Sequence, residues 1–160
     1  MRTLITGILV LWANQLFANT PPQTEQDKEL HCLALNIYFE ARSESAEGQL
    51  AVALVSMNRV DSPRFPNSIC SVVWQPRQFS WTHDGKSDRP REAQAWQTAQ
   101  NIARFVYEKY RTLPRQARKL LDITHGALHY YAPRLARPYW AQHQEVTRAI
   151  GSHVFLRKRS

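Results

Sequence analysis

Glycine is scarce in this chain, with five residues in 160. So few cannot build a glycine-rich loop that cradles phosphates, and neither a P-loop nor a dinucleotide fingerprint is present. Cysteine is scarcer still, with only Cys32 and Cys70. One pair so widely spaced suggests neither a zinc site nor a thioredoxin-like redox motif. The Gly-x-Ser-x-Gly elbow of serine hydrolases is also missing. Six histidines are present, but His125 and His129 are separated by Gly126 and share no helical face, so no metal is expected. Acidic residues number 13 against 21 basic ones. That imbalance favours polyanionic surroundings without choosing among nucleic acid, membrane surface and wall polymer. No recognisable nucleic-acid-binding module accompanies the charge, and nucleic acid is not an expected partner.

Long apolar runs are absent apart from Leu4 to Phe17, which follows Met1-Arg2 and ends before Asn19-Thr20-Pro21-Pro22. The run is short for a bilayer and contains Asn14 and Gln15, so it reads as a secretory signal peptide over residues 1–18. Export to the periplasm, cell wall or extracellular space follows, with no stable membrane insertion after its removal. Residues 19–27 are polar and read as a linker. Removing residues 1–18 takes away Arg2 alone and leaves 20 basic side chains against 13 acidic ones. In an oxidising compartment Cys32 and Cys70 are expected either to pair or to remain two buried thiols. A bond between them would close a loop of about 39 residues, worth roughly 3 to 4 kcal/mol on the chain-entropy model.

With 43% hydrophobic residues, positions 28–160 suffice for one core and one domain. A helix from about Lys28 to Ala41 carries Leu30, Leu33, Ile37 and Glu40 along one side. A second, from Ala46 to Val60, is apolar nearly all round and is expected to be central. Ser45 is its cap and Glu47 suits its first turn. Gly48 within that turn suggests a close approach by another group. A short helical piece ends near Trp74. Residues 75–90 read as an extended or hairpin segment turning at Asp84-Gly85. A long helix then runs to about Tyr110, with Trp96, Ala99, Ala103, Val106 and Tyr110 forming a core stripe. A short helix near Ala117 to Leu121 and strands around Ala127 to Tyr131 and Arg148 to Phe155, bent at Gly151, complete the domain.

Glu40 is the residue with chemical promise. Ile37 and Leu33 precede it by three and seven positions, so it shares a face with core residues. A carboxyl group withdrawn from water keeps its proton to higher pH, which suits a general acid. The same spacing also allows Glu40 to sit at the edge of the stripe, reaching solvent or pairing with Arg42 or a distant Arg. Gln78-Phe79-Ser80-Trp81 and His129-Tyr130-Tyr131 mix aromatic with polar residues in the manner of a carbohydrate cleft.

The segments Asn36 to Arg42, Glu47-Gly48-Gln49, Asn58-Arg59-Val60, Ser62 to Asn67, Gln78-Phe79-Ser80, Gly126 to Tyr131 and Ile150 to Phe155, in that order, closely resemble the SleB/CwlJ-type cell-wall hydrolases. The resemblance implies a mainly helical α+β domain with a small β region, distantly like lysozyme and the lytic transglycosylases. It implies cleavage of the peptidoglycan glycan strand by a cofactor-free monomer with Glu40 as the catalytic acid. Gln78, Phe79, Ser80, Tyr130 and Tyr131 would hold the strand. A lytic transglycosylase is favoured. A muramidase would need a second carboxylate, from Asp84, Glu44 or Glu47, and a non-catalytic wall-binding protein is the rival of another class. Many exported relatives carry a second cysteine pair where this chain has Arg77 and His83.

Overall fold

A computed structural model describes residues 23–159. The signal segment and residues 19–22 lie outside the described residues. Helix α1 spans Gln23–Ala41, so residues 23–27 belong to its first turns rather than to a linker. Glu25 in the first turn complements the helix dipole there. From Cys32 to Tyr38 every residue of α1 is buried, because the helix packs on α2 (Ala46–Val60), α3 (Ile69–Val73) and α4 (Ala93–Thr112). The central position is therefore shared by α1 and α2.

Two ties fasten α1 to α3. Cys32 and Cys70 form a disulfide with Cα atoms 5.2 Å apart. One turn earlier the Glu29 carboxylate accepts the amides of Ile69 at 2.6 Å and Cys70 at 3.2 Å, satisfying donors that the start of α3 leaves free. Tyr38 does the same for α4, its hydroxyl accepting the amides of Arg91 and Glu92. The stripe expected on α4 packs into the helical core, with Ala99, Ala103 and Val106 fully enclosed.

Helix α2 is capped by Ser45, whose hydroxyl accepts the Gly48 amide at 3.3 Å. One face of α2 joins the helical core, and another, through Ala51 and Val55, meets Ala127, Ile150 and Phe155 in a second apolar cluster. That second cluster seats an antiparallel sheet of order β1-β3-β2: β1 His129–Tyr131, β2 Gln144–Ile150 and β3 His153–Lys158. Tyr130 pairs with Phe155 and Ala149 with Val154, with a bulge between Val146 and Arg148. Before β1, helix α5 (Arg115–Leu121) leads to Asp122, which is buried and fully engaged. Its carboxylate accepts the amides of Thr124 and Gly126, the Thr124 hydroxyl and the Asn58 side chain.

Residues 75–90 are not a hairpin. They form successive turns with a 3-10 turn over Ser80–His83, and Gly85 at φ 73° bends the chain without a partner strand. Phe79 and Trp81 point inward and are buried, so anchoring to the helices decides this segment's path rather than strand pairing. Among the described residues no helix is long and apolar enough to cross a membrane.

Candidate functional site

Glu40 occupies the last turn of α1 and faces inward. Arg42, the alternative partner, bonds instead to Glu92, Nε to Oε1 at 2.9 Å. The Glu40 carboxyl group forms part of the wall of a cavity of about 300 Å3 lined by Arg59, Arg77, Gln78, Phe79, Ser80, His83 and Tyr130 as well. Tyr130 donates its hydroxyl to Glu40 Oε2 at 3.1 Å. Burial pushes the Glu40 carboxyl above its ordinary range, against the opposing pull of the Tyr130 hydroxyl and the Arg59 guanidinium. The Tyr130 phenol is pushed well up by burial and by the neighbouring Glu40 charge, so it acts as a hydrogen-bond donor throughout the neutral range.

Arg59 is 4% exposed. Its Nε donates to the Leu128 carbonyl at 2.8 Å, and its guanidinium lies between the rings of Phe65 and Phe79, 5.2 and 5.1 Å from their centroids. Nη1 is enclosed without a hydrogen-bond partner among the described residues. The sequence reading missed this residue. Its signal was a single arginine inside a helix otherwise apolar nearly all round, a place where a charge must find a purpose.

Gln78, Phe79, Ser80 and Tyr130, all expected around Glu40, do meet there. Phe79 is buried and supports Arg59 from below rather than offering a free ring face. Tyr131 is not among the lining residues. Strand alternation sends it and His129 to the opposite side of β1, where both meet Trp140, while Tyr130 contacts His153 and Phe155. Burial, with Arg59 and Arg64 nearby, holds His129 down to about 4, so it is neutral at pH 7. Arg77 and His83, where the chain departs from its resemblance, both face the cavity.

A larger cavity, of about 640 Å3, is lined by Asp61, Arg115, Lys119, Asp122 and His125 among others. Its buried carboxylate, on Asp122, already accepts four hydrogen bonds and has no capacity left for chemistry. The Glu40 cavity, with a partly satisfied carboxyl group whose proton affinity burial raises, is the better reactive site.

Glu44, just past α1, is used otherwise. Its carboxylate accepts the Ser152 amide at 3.0 Å and the Ser152 hydroxyl, clamping the turn between β2 and β3. Ser152 thereby holds the Glu44 carboxyl below its ordinary range. The close approach expected at Gly48 comes from this side chain: a methyl group on Gly48 would lie 2.9 Å from Glu44 Cβ, and one on Gly151 would overlap Glu44 Oε2.

The chain is similar to known proteins in sequence and in fold. The spore cortex-lytic enzyme of Bacillus subtilis (strain 168) is 31% identical over 135 residues, covering 81% of this chain and 37% of that protein. The enzyme of the same name from Bacillus cereus is 30% identical over 147 residues, covering 87% of this chain and 51% of that one. The chain thus spans about half the length, or less, of these curated relatives. In structure it is similar to the catalytic domain of the Bacillus cereus SleB protein, with a TM-score of 0.64 and 29% identity over 82% of this chain and 91% of that domain. The catalytic domain of the germination-specific lytic transglycosylase SleB from Bacillus anthracis gives the same TM-score at 30% identity, covering 88% of this chain and 99% of that domain. Residues 43–156 match the cell wall hydrolase family, beginning three positions beyond Glu40. By sequence across most of its length and by fold, the chain belongs to that cell wall hydrolase family.

Proposed function

We propose that this protein cleaves peptidoglycan glycan strands between N-acetylmuramic acid and N-acetylglucosamine, as a lytic transglycosylase with Glu40 as general acid and then base. The observation that carries the reading is the half-buried Glu40 carboxyl group, held by Tyr130 on the wall of an open, polar cavity. Protonated Glu40 gives its proton to the glycosidic oxygen as the bond to the muramyl C1 breaks, and positive charge spreads over C1 and the ring oxygen. The resulting carboxylate then takes the proton of the muramyl C6 hydroxyl while that oxygen bonds to C1. The product is a 1,6-anhydro end, and Glu40 is again protonated. If water replaced the C6 hydroxyl, the product would be a reducing end.

A second working carboxylate would favour water as nucleophile. Among the described residues Glu40 is the one carboxylate that lines the cavity, and Glu44 is engaged by Ser152. This supports the intramolecular route. Gln78, Ser80 and Tyr130 offer the polar atoms for sugar hydroxyl and acetamido groups. The protein would act outside the cytoplasmic membrane, in the periplasm or wall, after loss of the apolar segment ahead of Asn19. Mass spectrometry of fragments released from purified peptidoglycan tests the reading. Anhydromuramyl ends absent with Glu40→Gln support it, reducing ends turn it to a muramidase, and equal activity of the variant removes Glu40 from the chemistry.

A further inference from the structure

The cavity wall carries an excess of fixed positive charge. Its titratable lining groups are Glu40, Arg59, Arg77, His83 and Tyr130. When Glu40 holds the proton that the first step requires, two guanidinium groups remain and no carboxylate opposes them. Arg59 is enclosed, its Nη1 lacks a partner, and two aromatic faces give it only part of what water would. Arg77 stands at the exposed rim and makes no ion pair among the described residues. Its backbone is held at φ 64°, a region side chains other than glycine seldom adopt, and strain of this kind is kept where the surroundings fix it for use.

We infer that this cavity selects a glycan strand bearing a carboxylate on the muramyl unit beside the scissile bond, bound between Arg77 at the rim and Arg59 in the wall. The inference rests on the peptidoglycan reading and adds the charge of the preferred substrate. Two sources can supply the group: the lactyl ether of a muramyl residue stripped of its peptide, or the peptide stem. A planar guanidinium takes a carboxylate through two parallel hydrogen bonds, which a neutral amide cannot reproduce. Gln78 and Ser80, on the same segment as Arg77, would then hold the neutral sugar groups.

The test compares three strand preparations: peptide-free strands, the same strands with lactyl carboxylates converted to methylamides, and stem-bearing strands. Wild-type protein should cleave the free-carboxylate strands with a kcat/KM about tenfold above the methylamides, the factor expected of one charge-assisted hydrogen bond. In Arg77→Gln that ratio should collapse toward one, while Arg77→Lys should keep most of it. A ratio taken within one variant is insensitive to a general loss of folded protein. Stem-bearing strands that match the free carboxylates show that the stem also supplies the group, and stem-bearing strands that match the methylamides confine it to the lactyl ether. Equal rates on all three, or a ratio unchanged by Arg77→Gln, would overturn the inference and leave the peptidoglycan reading standing. If no strand is cleaved, that reading fails, and the same ratios are then read as binding to Glu40→Gln. Equal binding of carboxylate and methylamide strands there overturns the inference too.

Discussion

Glu40 and Glu44 lie four residues apart at the end of one helix, and their surroundings push them in opposite directions. Glu40 is drawn into the cavity, where lost hydration raises its proton affinity. Glu44 meets the Ser152 hydroxyl and amide, which stabilise its charge. The same side chain thus holds a proton more tightly in one place and less tightly in the other. What differs is solvation and hydrogen bonding, since intrinsic acidity is shared.

The strongest way to break the contrast is Glu40→Gln, which keeps shape and removes the proton. Activity should fall by about a hundredfold to ten-thousandfold, the range of general acid–base catalysis, measured as soluble fragments released per minute. The same variant should melt at a higher temperature than wild type at pH 7. Because the folded state raises the Glu40 pKa, its stabilising preference for the proton is fully present below the ordinary value of 4.5 and is lost as pH rises through the folded value. The gain in the variant should therefore vanish in acid, and a variant less stable at pH 7 would contradict a desolvated Glu40.

Gly151→Ala strikes the other carboxylate. It places a methyl group on Glu44 Oε2 at a residue with φ 57°, so it should cost about 1–2 kcal/mol in urea unfolding. Unfolding curves that superimpose on wild type would mean that the turn is not held as described. Tyr130→Phe acts more gently, removing a hydrogen bond that lowers the Glu40 pKa. The alkaline limb of the activity profile should move to higher pH, with kcat/KM down about fivefold. A limb that stays put or moves down would separate Tyr130 from Glu40. Smallest is Glu44→Gln. The folded state depresses the Glu44 pKa, so its contribution is present above 4.5 and lost as pH falls through the folded value. Acid denaturation of the variant should be slightly flatter over that range, with activity at pH 7 little altered.

How much of this was legible depended on the length scale of each signal. The bounds of α2 and its Ser45 cap could be read because apolar periodicity and local capping chemistry agree over a whole helix. The inward tilt of Glu40 followed from its spacing to Leu33 and Ile37, although only the structure separated burial from pairing with Arg42. Tyr131 shares its aromatic run with Tyr130, but adjacent strand residues face opposite sides and only Tyr130 lines the cavity. The turns of residues 75–90 defeated strand reasoning, since Phe79 and Trp81 are set by packing on distant helices. Arg59 needed three dimensions: its neighbours Phe65, Phe79 and Leu128 come from separate parts of the chain, and no local pattern joins them.

The Glu44 clamp also sets an order on sequence change. Gly48 and Gly151 are both kept small by one side chain from a third position. While Glu44 is present, a larger residue at either glycine meets occupied space. Once Glu44 is shortened, the clash with its carboxylate at position 151 disappears, although the positive φ there still disfavours a side chain, whereas the contact at position 48 is with Glu44 Cβ and remains for any side chain at position 44. Substitution at residue 151 is thus in part conditional on residue 44, and the same mutation is more harmful in one background than in the other. A chain that loses the Glu44 carboxylate first meets less resistance at position 151, whereas position 48 stays small in either background.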